Sequence, residues 1–499
     1  MNPAVLRQTR APLAAFLLGA ATVLGFAPIA LAPLPILGAA GLLWLWQEAA
    51  TPRRAATLGF TFGLGLFLAG VSWVYISLHD FGAMPAPLAA VATLLFCAFL
   101  ALYPALAGYL QARLAGPVAA KQLLLIPALW VLTEWLRGWV FTGFPWLILG
   151  YSQAASPLGG YAPLTGVFGA SWSVWLCAGL LLALARARAR QRAAALAGIA
   201  LIFSLGYGLG RVEWTQPHGA PVTVSLLQGN IAQDLKWDAT RFAATVELYQ
   251  RMTERSAARL TILPETAIPR FLDLLDPALV RALALSARSH GGDLIVGVPL
   301  RDASGHYYNS ALSLGASPDQ RYDKIHLVPF GEFIPPGFGW VLSILKIPLA
   351  DFTRGSAAQA PLDLAGQKVA VNICYEDAFG EEIIRFLPEA TLLVNISNVA
   401  WFGDSLAPHQ HLQIAQLRAL ETGRTMLRAT NTGMTAIIDH RGDIAAVLPP
   451  STQGTLNGSA QGRSGATPYV RWGNAPLVLL ALLLCGLYVL RYRKSVPPA

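Results

Sequence analysis

Eight long apolar runs occupy the first and last parts of the chain. A helix of about 20 residues crosses the hydrocarbon core of a bilayer, which is about 30 Å thick. We therefore predict eight membrane spans, with seven in a membrane domain over residues 1–215 and the eighth at 474–490. Pro28, Pro33 and Pro35 leave a short turn between the first two runs, which indicates a helical hairpin. The runs are residues 11–27, 29–47, 57–78, 86–111, 122–141, 160–185, 193–211 and 474–490.

Residues 220–470 have no apolar run of membrane length and follow a different pattern. Short runs rich in β-branched residues alternate with amphipathic stretches, which is typical of an α/β sandwich with a mixed sheet. We predict strands at Val222–Leu227, Leu260–Leu263, Leu294–Val298, 308–314, Val369–Ile373, Leu392–Ile396, 425–430 and 434–439. We predict helices at 239–258, 277–289, 380–387 and 408–422. One α/β domain is thus expected between the seventh and the eighth span.

Composition and charge agree with this division. The chain is 55% hydrophobic and 13% charged, whereas soluble proteins have about 25% charged residues. The formal net charge of +9 could indicate a nucleic-acid partner, but it is unevenly distributed. Residues 221–470 have 20 Lys and Arg against 23 Asp and Glu, and the rest of the chain has 16 against 4. Basic residues in loops between apolar runs are typical of membrane topology, so nucleic-acid binding is not expected.

The positions of Lys and Arg also predict orientation, because cytoplasmic loops of membrane proteins are enriched in these residues. Of the 16 basic residues outside 221–470, 13 fall on one side of the predicted spans. Only Arg137, Arg211 and Arg471 fall on the other side. Both termini are therefore expected in the cytoplasm and the α/β domain on the outer side. The N-terminus also resembles a signal peptide, but no small-residue cleavage site follows, so we expect an uncleaved first span.

The four cysteines constrain the chemistry of the α/β domain. Cys97, Cys177 and Cys485 lie in predicted spans, which leaves Cys374 without a disulfide partner in its own domain. A lone thiol in an external compartment is either buried and inert or retained for its reactivity.

Three segments of the α/β domain carry groups that could act together. Glu265 and Cys374 each follow a predicted strand, where reactive groups collect in α/β folds. Lys324 lies between them in an otherwise apolar segment. A thiol nucleophile, a carboxylate that takes its proton and a cation that stabilises an oxyanion are the parts of acyl transfer. Each residue alone also fits an ordinary place in a core, a turn or a surface, and spacing does not decide whether the three converge.

Two further features allow more than one interpretation. His409 and His411 could suggest zinc, but they lie two residues apart without an evident third ligand, so no metal site is predicted. Residues 333–349 are apolar and rich in Gly and Pro, and they fit either a core loop or a lid that dips into the membrane interface. The sequence contains no Gly-x-Ser-x-Gly motif and no phosphate-binding loop.

The three segments resemble the Glu-Lys-Cys motifs of the nitrilase (carbon-nitrogen hydrolase) superfamily. The matching residues are Pro264-Glu265, Lys324 with the continuation His326-Leu-Val-Pro-Phe-Gly-Glu332, and Cys374-Tyr375-Glu376. Further segments are similar to the bacterial apolipoprotein N-acyltransferase family, and this resemblance covers essentially the whole chain. They are Gln228-Gly229-Asn230, Leu235-Lys236-Trp237-Asp238, residues 395–405, His409-Gln-His411, Arg137-Gly138, Gly143-Phe-Pro-Trp146 and Gly150-Tyr-Ser-Gln153.

The resemblance implies a polytopic α-helical membrane protein with eight spans that carries a nitrilase-like αββα sandwich. It implies transfer of an acyl chain from a phospholipid, typically from sn-1 of phosphatidylethanolamine, to the α-amino group of the S-diacylglyceryl cysteine of an apolipoprotein. Cys374 would be the nucleophile, Glu265 the general base and Lys324 the stabiliser of the tetrahedral intermediate. The implied supporting residues are Trp237, Asn309, Glu332, Tyr375, Glu376 and Trp401. No cofactor is implied, and the implied location is the bacterial inner membrane with a periplasmic catalytic domain.

Two other functions fit part of the sequence. A membrane-anchored amidase that hydrolyses a small C–N bond would use the same three residues, but eight spans exceed what an anchor needs and favour a lipid substrate. A non-catalytic scaffold with a retired hydrolase domain would have no need to retain Glu265, Lys324 and Cys374 together.

Overall fold

The computed structural model describes residues 3–186, 188–335, 337, 339 and 351–492. The chain divides into two compact units. The first comprises the chain up to Ser72, Ala90–Val212 and the chain from Arg471 onward. The second comprises Trp73–Ala89 and Glu213–Val470, so it contains the α/β domain and one short segment from the N-terminal half.

Within the described residues, six helices are long and apolar enough to cross a membrane. They are Pro52–Val71, Ala86–Arg113, Val118–Arg137, Pro157–Ala185, Ala189–Leu209 and Ala475–Tyr492. The first two predicted spans fall on helices Pro3–Thr22 and Pro33–Gln47, and the latter has 15 residues. A straight helix of that length covers about 22 Å, less than the hydrocarbon core of about 30 Å. The count of eight spans therefore stays a prediction.

The third predicted span is shorter than its apolar run, which extends over 57–78. Its helix, Pro52–Val71, begins at the cap Thr51, whose side chain accepts a hydrogen bond from the Arg54 N–H. The residues that follow belong to the second unit. There the Trp73 indole N–H donates to Gln410 at 3.2 Å, and the chain continues as the short helix Val74–Ile76 and the π-helical turn Ser77–Phe81.

Glycines allow two helices of the first unit to meet at their backbones. A Cβ added at Gly19 would lie 1.9 Å from the Phe62 carbonyl oxygen, and one added at Gly65 would lie 2.0 Å from that of Phe16. No larger side chain fits at either position. Small residues at such contacts are typical of helix packing in membranes, where close van der Waals contact replaces the hydrophobic effect.

Glu134 and Arg137, the charged residues of the fifth predicted span, both bind the irregular segment that follows their helix. Arg137 donates to the carbonyl oxygens of Phe144 at 2.7 Å and Trp146 at 2.5 Å. Glu134 accepts from the Leu149 N–H at 2.9 Å. The two charges therefore satisfy main-chain groups that would otherwise be buried without partners.

In its described residues, the second unit contains two six-stranded sheets. In chain order the strands are β1 Gln216–Gln228, β2 Leu260–Ile262, β3 Asp293–Arg301, β4 Tyr307–Gly315, β5 Gln320–Asp323, β6 Leu362–Leu364, β7 Gln367–Ile373, β8 Leu392–Ser397, β9 Thr425–Thr430, β10 Ala436–Ile438, β11 Ile444–Val447 and β12 Gly454–Ser464. The first sheet has the order β12-β1-β2-β3-β4-β5, and the second has β11-β10-β9-β8-β7-β6. β1, β2 and β3 are parallel, as are β7, β8 and β9, and the outer strands pair antiparallel. The sheets are therefore mixed, as the sequence predicts.

Apolar residues of both sheets share one core. Val224 and Ile262 of the first sheet belong to the same cluster as Val371 and Val394 of the second. Leu412 brings the helix Ala407–Thr422 into this cluster. Helices Phe242–Glu254 and Pro277–Ser289 pack on β3 in a separate cluster. The other α-helices among the described residues here are Val74–Ile76, Gln233–Lys236, Gly380–Ile383 and Pro468–Trp472, the last of which ends in the first unit.

Candidate active site

Glu265, Lys324 and Cys374 all lie where a strand has just ended. Glu265 stands shortly after β2, Lys324 follows β5 directly and Cys374 follows β7 directly. All three side chains are buried, and Lys324 is only 1% exposed. β2 and β5 belong to the first sheet and β7 to the second. The site therefore depends on the association of the two sheets.

Lys324 lies between two carboxylates. Its Nζ is 2.8 Å from the Glu332 carboxylate and 3.4 Å from Glu265 Oε1. Asn309, which projects from β4, donates from Nδ2 to both carboxylates at 2.7 Å. A buried charge is tolerated when it is paired and hydrogen-bonded, and these contacts meet that requirement for all three ions.

The electrostatic environment keeps Glu265 and Lys324 ionised. Burial raises the pKa of Glu265, but the Lys324 charge and hydrogen bonds from Asn309 and Asn398 outweigh it, so the pKa lies below its ordinary value. Burial lowers the pKa of Lys324, but the charges of Glu332 and Glu265 outweigh it and raise the pKa well above its ordinary value. A carboxylate that is ionised at neutral pH can accept a proton from a neighbouring group.

Cys374 has a strained backbone and a thiol that remains protonated. Its φ is +56°, in the left-handed region that side chains with a Cβ rarely adopt. Such strain is of order 1–3 kcal/mol and collects at functional sites. Burial, followed by the charge of Glu265, raises the pKa of the thiol, while Lys324 lowers it. Attack by this sulfur therefore requires a base that removes the proton.

Comparisons with known proteins cover both parts of the chain. A family model described as the apolipoprotein N-acyltransferase N-terminal domain matches residues 18–180, and one described as carbon-nitrogen hydrolase matches residues 223–469. The apolipoprotein N-acyltransferase of Nitrosomonas europaea is 53% identical over 480 residues, which cover 95% of this chain and 96% of the relative. The chain belongs to the apolipoprotein N-acyltransferase family. The relative from Methylococcus capsulatus is 47% identical over 475 residues, 94% of each chain, and the one from Chromobacterium violaceum is 50% identical over 481 residues, 95% of this chain and 93% of the relative.

In this member of the apolipoprotein N-acyltransferase family, Glu376 joins the segment after Lys324 to the end of β7. Its Oε1 accepts from the main-chain N–H groups of Ile325 at 2.7 Å and His326 at 3.0 Å. Its Oε2 accepts from the Ile373 N–H at 2.6 Å. Burial raises the pKa of this carboxyl to about 7. The Glu376 side chain thus fixes Lys324 relative to Cys374.

We expect Glu376→Gln to lower the free energy of unfolding by about 1–3 kcal/mol, the cost of a buried donor without a partner. In either orientation the amide NH₂ would face a main-chain N–H, that of Ile373 on one side or those of Ile325 and His326 on the other. Thermal unfolding of the purified protein in detergent would measure the change. Glu389→Gln is the matched control, because Glu389 is 60% exposed and contacts Lys368 at 3.6 Å. Equal unfolding midpoints for the two variants would contradict this account.

The predicted aromatic residues occupy different places around the site. Tyr375 follows Cys374 and packs edge-on against Phe379, with ring centroids 5.0 Å apart. Trp237 directly follows the helix Gln233–Lys236 and is half-buried. Trp401 is also half-buried and packs edge-on against Phe81 at 6.2 Å. The supporting role implied for the two tryptophans stays a prediction.

Two residues that the sequence did not single out contact Glu265. The Asn398 N–H, just past β8, donates to Glu265 Oε2 at 2.7 Å. Lys236 is 4% exposed and donates from Nζ to the main-chain oxygen of Glu265 at 3.1 Å. Both residues lie in segments that carry the family resemblance, and this resemblance is the feature of the sequence that could have marked them as site residues. A lysine beside Trp237 and Asp238 otherwise has the pattern of a surface charge.

A second buried network lies behind Cys374. Asp377 is 2.6 Å from His411 Nε2 and 2.7 Å from Arg428 Nη1. Arg428 also donates to Asn395 Oδ1 at 2.7 Å, and Asn395 donates to the Cys374 carbonyl oxygen at 3.0 Å. His411 therefore pairs with a carboxylate, and burial lowers its pKa below its ordinary value. This network supports the backbone at Cys374.

The segment 333–349, predicted as either a core loop or a lid, lies largely outside the described residues. The residues that flank the segment are joined, because the Glu332 carbonyl oxygen accepts from the Phe352 N–H at 2.8 Å. Both interpretations of the segment stay open.

Proposed function

We propose that the protein transfers an acyl chain from a phospholipid to the α-amino group of the S-diacylglyceryl cysteine of an apolipoprotein, the final step of lipoprotein maturation. The proposed donor position is sn-1 of phosphatidylethanolamine. Relatives that are 47–53% identical over nearly the whole chain are named apolipoprotein N-acyltransferase. The proposal rests mainly on the buried cluster of Glu265, Lys324 and Cys374 in a chain of this family.

In the first half-reaction, Glu265 removes the proton of the Cys374 thiol while the sulfur attacks the ester carbonyl carbon of the phospholipid. A C–S bond forms, and the carbonyl oxygen becomes an oxyanion. The tetrahedral intermediate then collapses, its ester C–O bond breaks, and protonated Glu265 gives the proton to the departing lysophospholipid. An acyl thioester remains on Cys374.

In the second half-reaction, the α-amino group of the apolipoprotein attacks the thioester carbonyl carbon. Glu265 takes a proton from the attacking nitrogen, and the C–S bond breaks as the amide forms. The proton then returns to the Cys374 sulfur, which restores the resting thiol. Two substrates thus use one site in turn, and this is a ping-pong mechanism.

Lys324 is the proposed stabiliser of both tetrahedral intermediates. A lysine ammonium has three N–H donors, and Glu265 and Glu332 accept two of them. We assign the third to the oxyanion, together with a backbone N–H near Cys374. One donor of this kind is worth about 3–4 kcal/mol to the transition state.

The membrane part of the proposal concerns topology. Six membrane-length helices in the part of the chain that the structure describes support an integral membrane protein, and we propose two further spans at the N-terminus, which gives eight. The proposed organisation is a membrane domain over 1–215, a nitrilase-like αββα domain over 220–470 and a last span at 474–490. The distribution of Lys and Arg supports cytoplasmic termini and a catalytic domain on the periplasmic side of the inner membrane.

Incubation of the purified protein with phosphatidylethanolamine tests the first half-reaction. We expect mass spectrometry to find one acyl chain on the peptide that contains Cys374, together with an equal amount of lysophospholipid. A diacylglyceryl-cysteine peptide added afterwards should remove the adduct and become N-acylated, whereas water should remove it slowly. Consumption of phospholipid without an adduct on Cys374 would refute the thioester, and rapid hydrolysis without amide formation would favour a lipase or amidase.

A further inference from the structure

A second buried lysine contacts the main chain of Glu265, whereas Lys324 contacts its side chain. Lys236 is the last residue of the helix Gln233–Lys236. Its Nζ donates to the main-chain oxygen of Glu265 at 3.1 Å and to Thr266 Oγ1. Among the described residues, these hydrogen bonds of Lys236 go to neutral oxygens, whereas Lys324 binds two carboxylates.

The turn that Lys236 holds is the one that aims the Glu265 side chain. Thr266 has a φ of +43°, which is unusual for a β-branched residue. The turn also lies tightly on β3, because a Cβ added at Gly297 would be 2.3 Å from the Pro264 carbonyl oxygen. A strained turn persists when surrounding contacts hold it. Hydrogen bonds from Lys236 to two successive residues of this turn are such contacts.

The Lys236 charge also completes a balance of buried ions. Lys236 and Lys324 carry two positive charges, and Glu265 and Glu332 carry two negative charges, so these four charges sum to zero while Cys374 is a thiol. When the thiol proton moves to Glu265, that carboxylate becomes neutral and the oxyanion of the intermediate carries the negative charge instead. The sum therefore stays at zero. Without Lys236 the group would carry one uncompensated negative charge, which is costly in a buried site and favours protonation of a carboxylate.

We propose that Lys236 is a positioning residue that fixes the turn bearing Glu265 and keeps its carboxyl group ionised before acylation. The role rests on the proposed function of Glu265 as general base. It differs from the role of Lys324, because Lys236 binds the backbone of Glu265 and Lys324 binds its carboxylate.

Two other buried ionisable groups near the cluster are Glu376 and Arg428. Burial raises the pKa of Glu376 to about 7, and the charge with which Glu376 interacts is that of Lys324. Arg428 interacts with Glu265, but Asp377 lies 2.7 Å from Arg428 and compensates it. Burial lowers the pKa of Lys236 to about 8, while Glu265 and Cys374 oppose that change. Lys236 is therefore protonated at neutral pH. After burial and Lys324, it is the next influence on the pKa of Glu265, which it lowers.

Lys236→Met tests the proposal, because methionine keeps the length and apolar stem of lysine without its charge. Two rates are followed against pH by mass spectrometry: acylation of Cys374 by phosphatidylethanolamine and alkylation of Cys374 by iodoacetamide. We expect the acid limb of both profiles to move up by about one pH unit, the usual effect of losing one opposite charge nearby. A folded-state signal, such as circular dichroism, recorded over the same pH range separates titration of Glu265 from acid unfolding of the variant.

Two controls separate the charge of Lys236 from other effects. Lys236→Arg retains a positive charge and should leave the acid limb at its wild-type position. Lys368→Met removes the same charge from an exposed place on β7 and should also leave it unchanged. An unmoved acid limb in Lys236→Met would overturn the proposal. A shift in alkylation with no acyl adduct even in the wild type would uphold the role of Lys236 and refute the phospholipid as donor.

Discussion

Cys374→Ala is expected to abolish both half-reactions, with a fall in turnover on the order of 10⁵ to 10⁶-fold, as for loss of a catalytic nucleophile. No acyl adduct should form on the peptide that contains residue 374, and no lysophospholipid should be released. Cys374→Ser should be strongly impaired, because a hydroxyl in this buried place is a weaker nucleophile than a thiol and loses its proton less readily. Mass spectrometry of the adduct and a count of lysophospholipid give the two measurements.

The protein provides a matched control for thiol chemistry. Cys485 lies in the last apolar helix, Ala475–Tyr492, and is the most exposed of the four cysteines. Cys485→Ala should retain the adduct and normal turnover. Thermal unfolding should distinguish loss of the nucleophile from loss of the fold, since alanine retains the Cβ at the strained φ of residue 374. If Cys374→Ala still consumed phospholipid at a rate near that of the wild type, the assignment of the nucleophile would be wrong.

The apolar strands could be predicted because burial of both faces leaves a continuous hydrophobic run. β7 and β8 lie where such runs stand in the sequence. β12, Gly454–Ser464, was missed because it is a polar sequence rich in Gly and Ser. It forms a strand by pairing along β1, and that partner is more than 200 residues away. Long-range pairing of this kind has no local sequence pattern.

Single residues of the site are likewise predictable only where the local sequence marks them. Glu265 and Cys374 could be predicted because each stands at the end of a recognisable strand, where side chains of an α/β fold converge. Lys236 and Asn398 could not, because their importance comes from contacts with Glu265, 29 and 133 residues away. A helix of four residues, Gln233–Lys236, gives no periodic pattern that would mark its lysine as buried.

Glu265→Gln is expected to slow both half-reactions by about 10²–10⁴-fold, the usual contribution of a general base. Glutamine has nearly the same shape but does not accept a proton from the Cys374 thiol. Lys324 retains Glu332 at 2.8 Å, so the cation stays paired. The rate of acylation of Cys374 in a single turnover, followed by mass spectrometry, gives the first half-reaction, and transfer to a diacylglyceryl-cysteine peptide gives the second.

The pH dependence distinguishes loss of the base from a disturbed site. With Glu265 present, the pKa of the carboxyl lies below its ordinary value, so the wild-type rate should be flat near neutral pH. In Glu265→Gln the thiol must lose its proton to solvent, and the residual rate should rise about tenfold per pH unit until the thiol titrates. Glu332→Gln removes the other carboxylate that contacts Lys324 but leaves the base in place, so its rate is expected to fall while its profile stays flat. A flat profile and a near-normal rate in Glu265→Gln would show that another group takes the thiol proton.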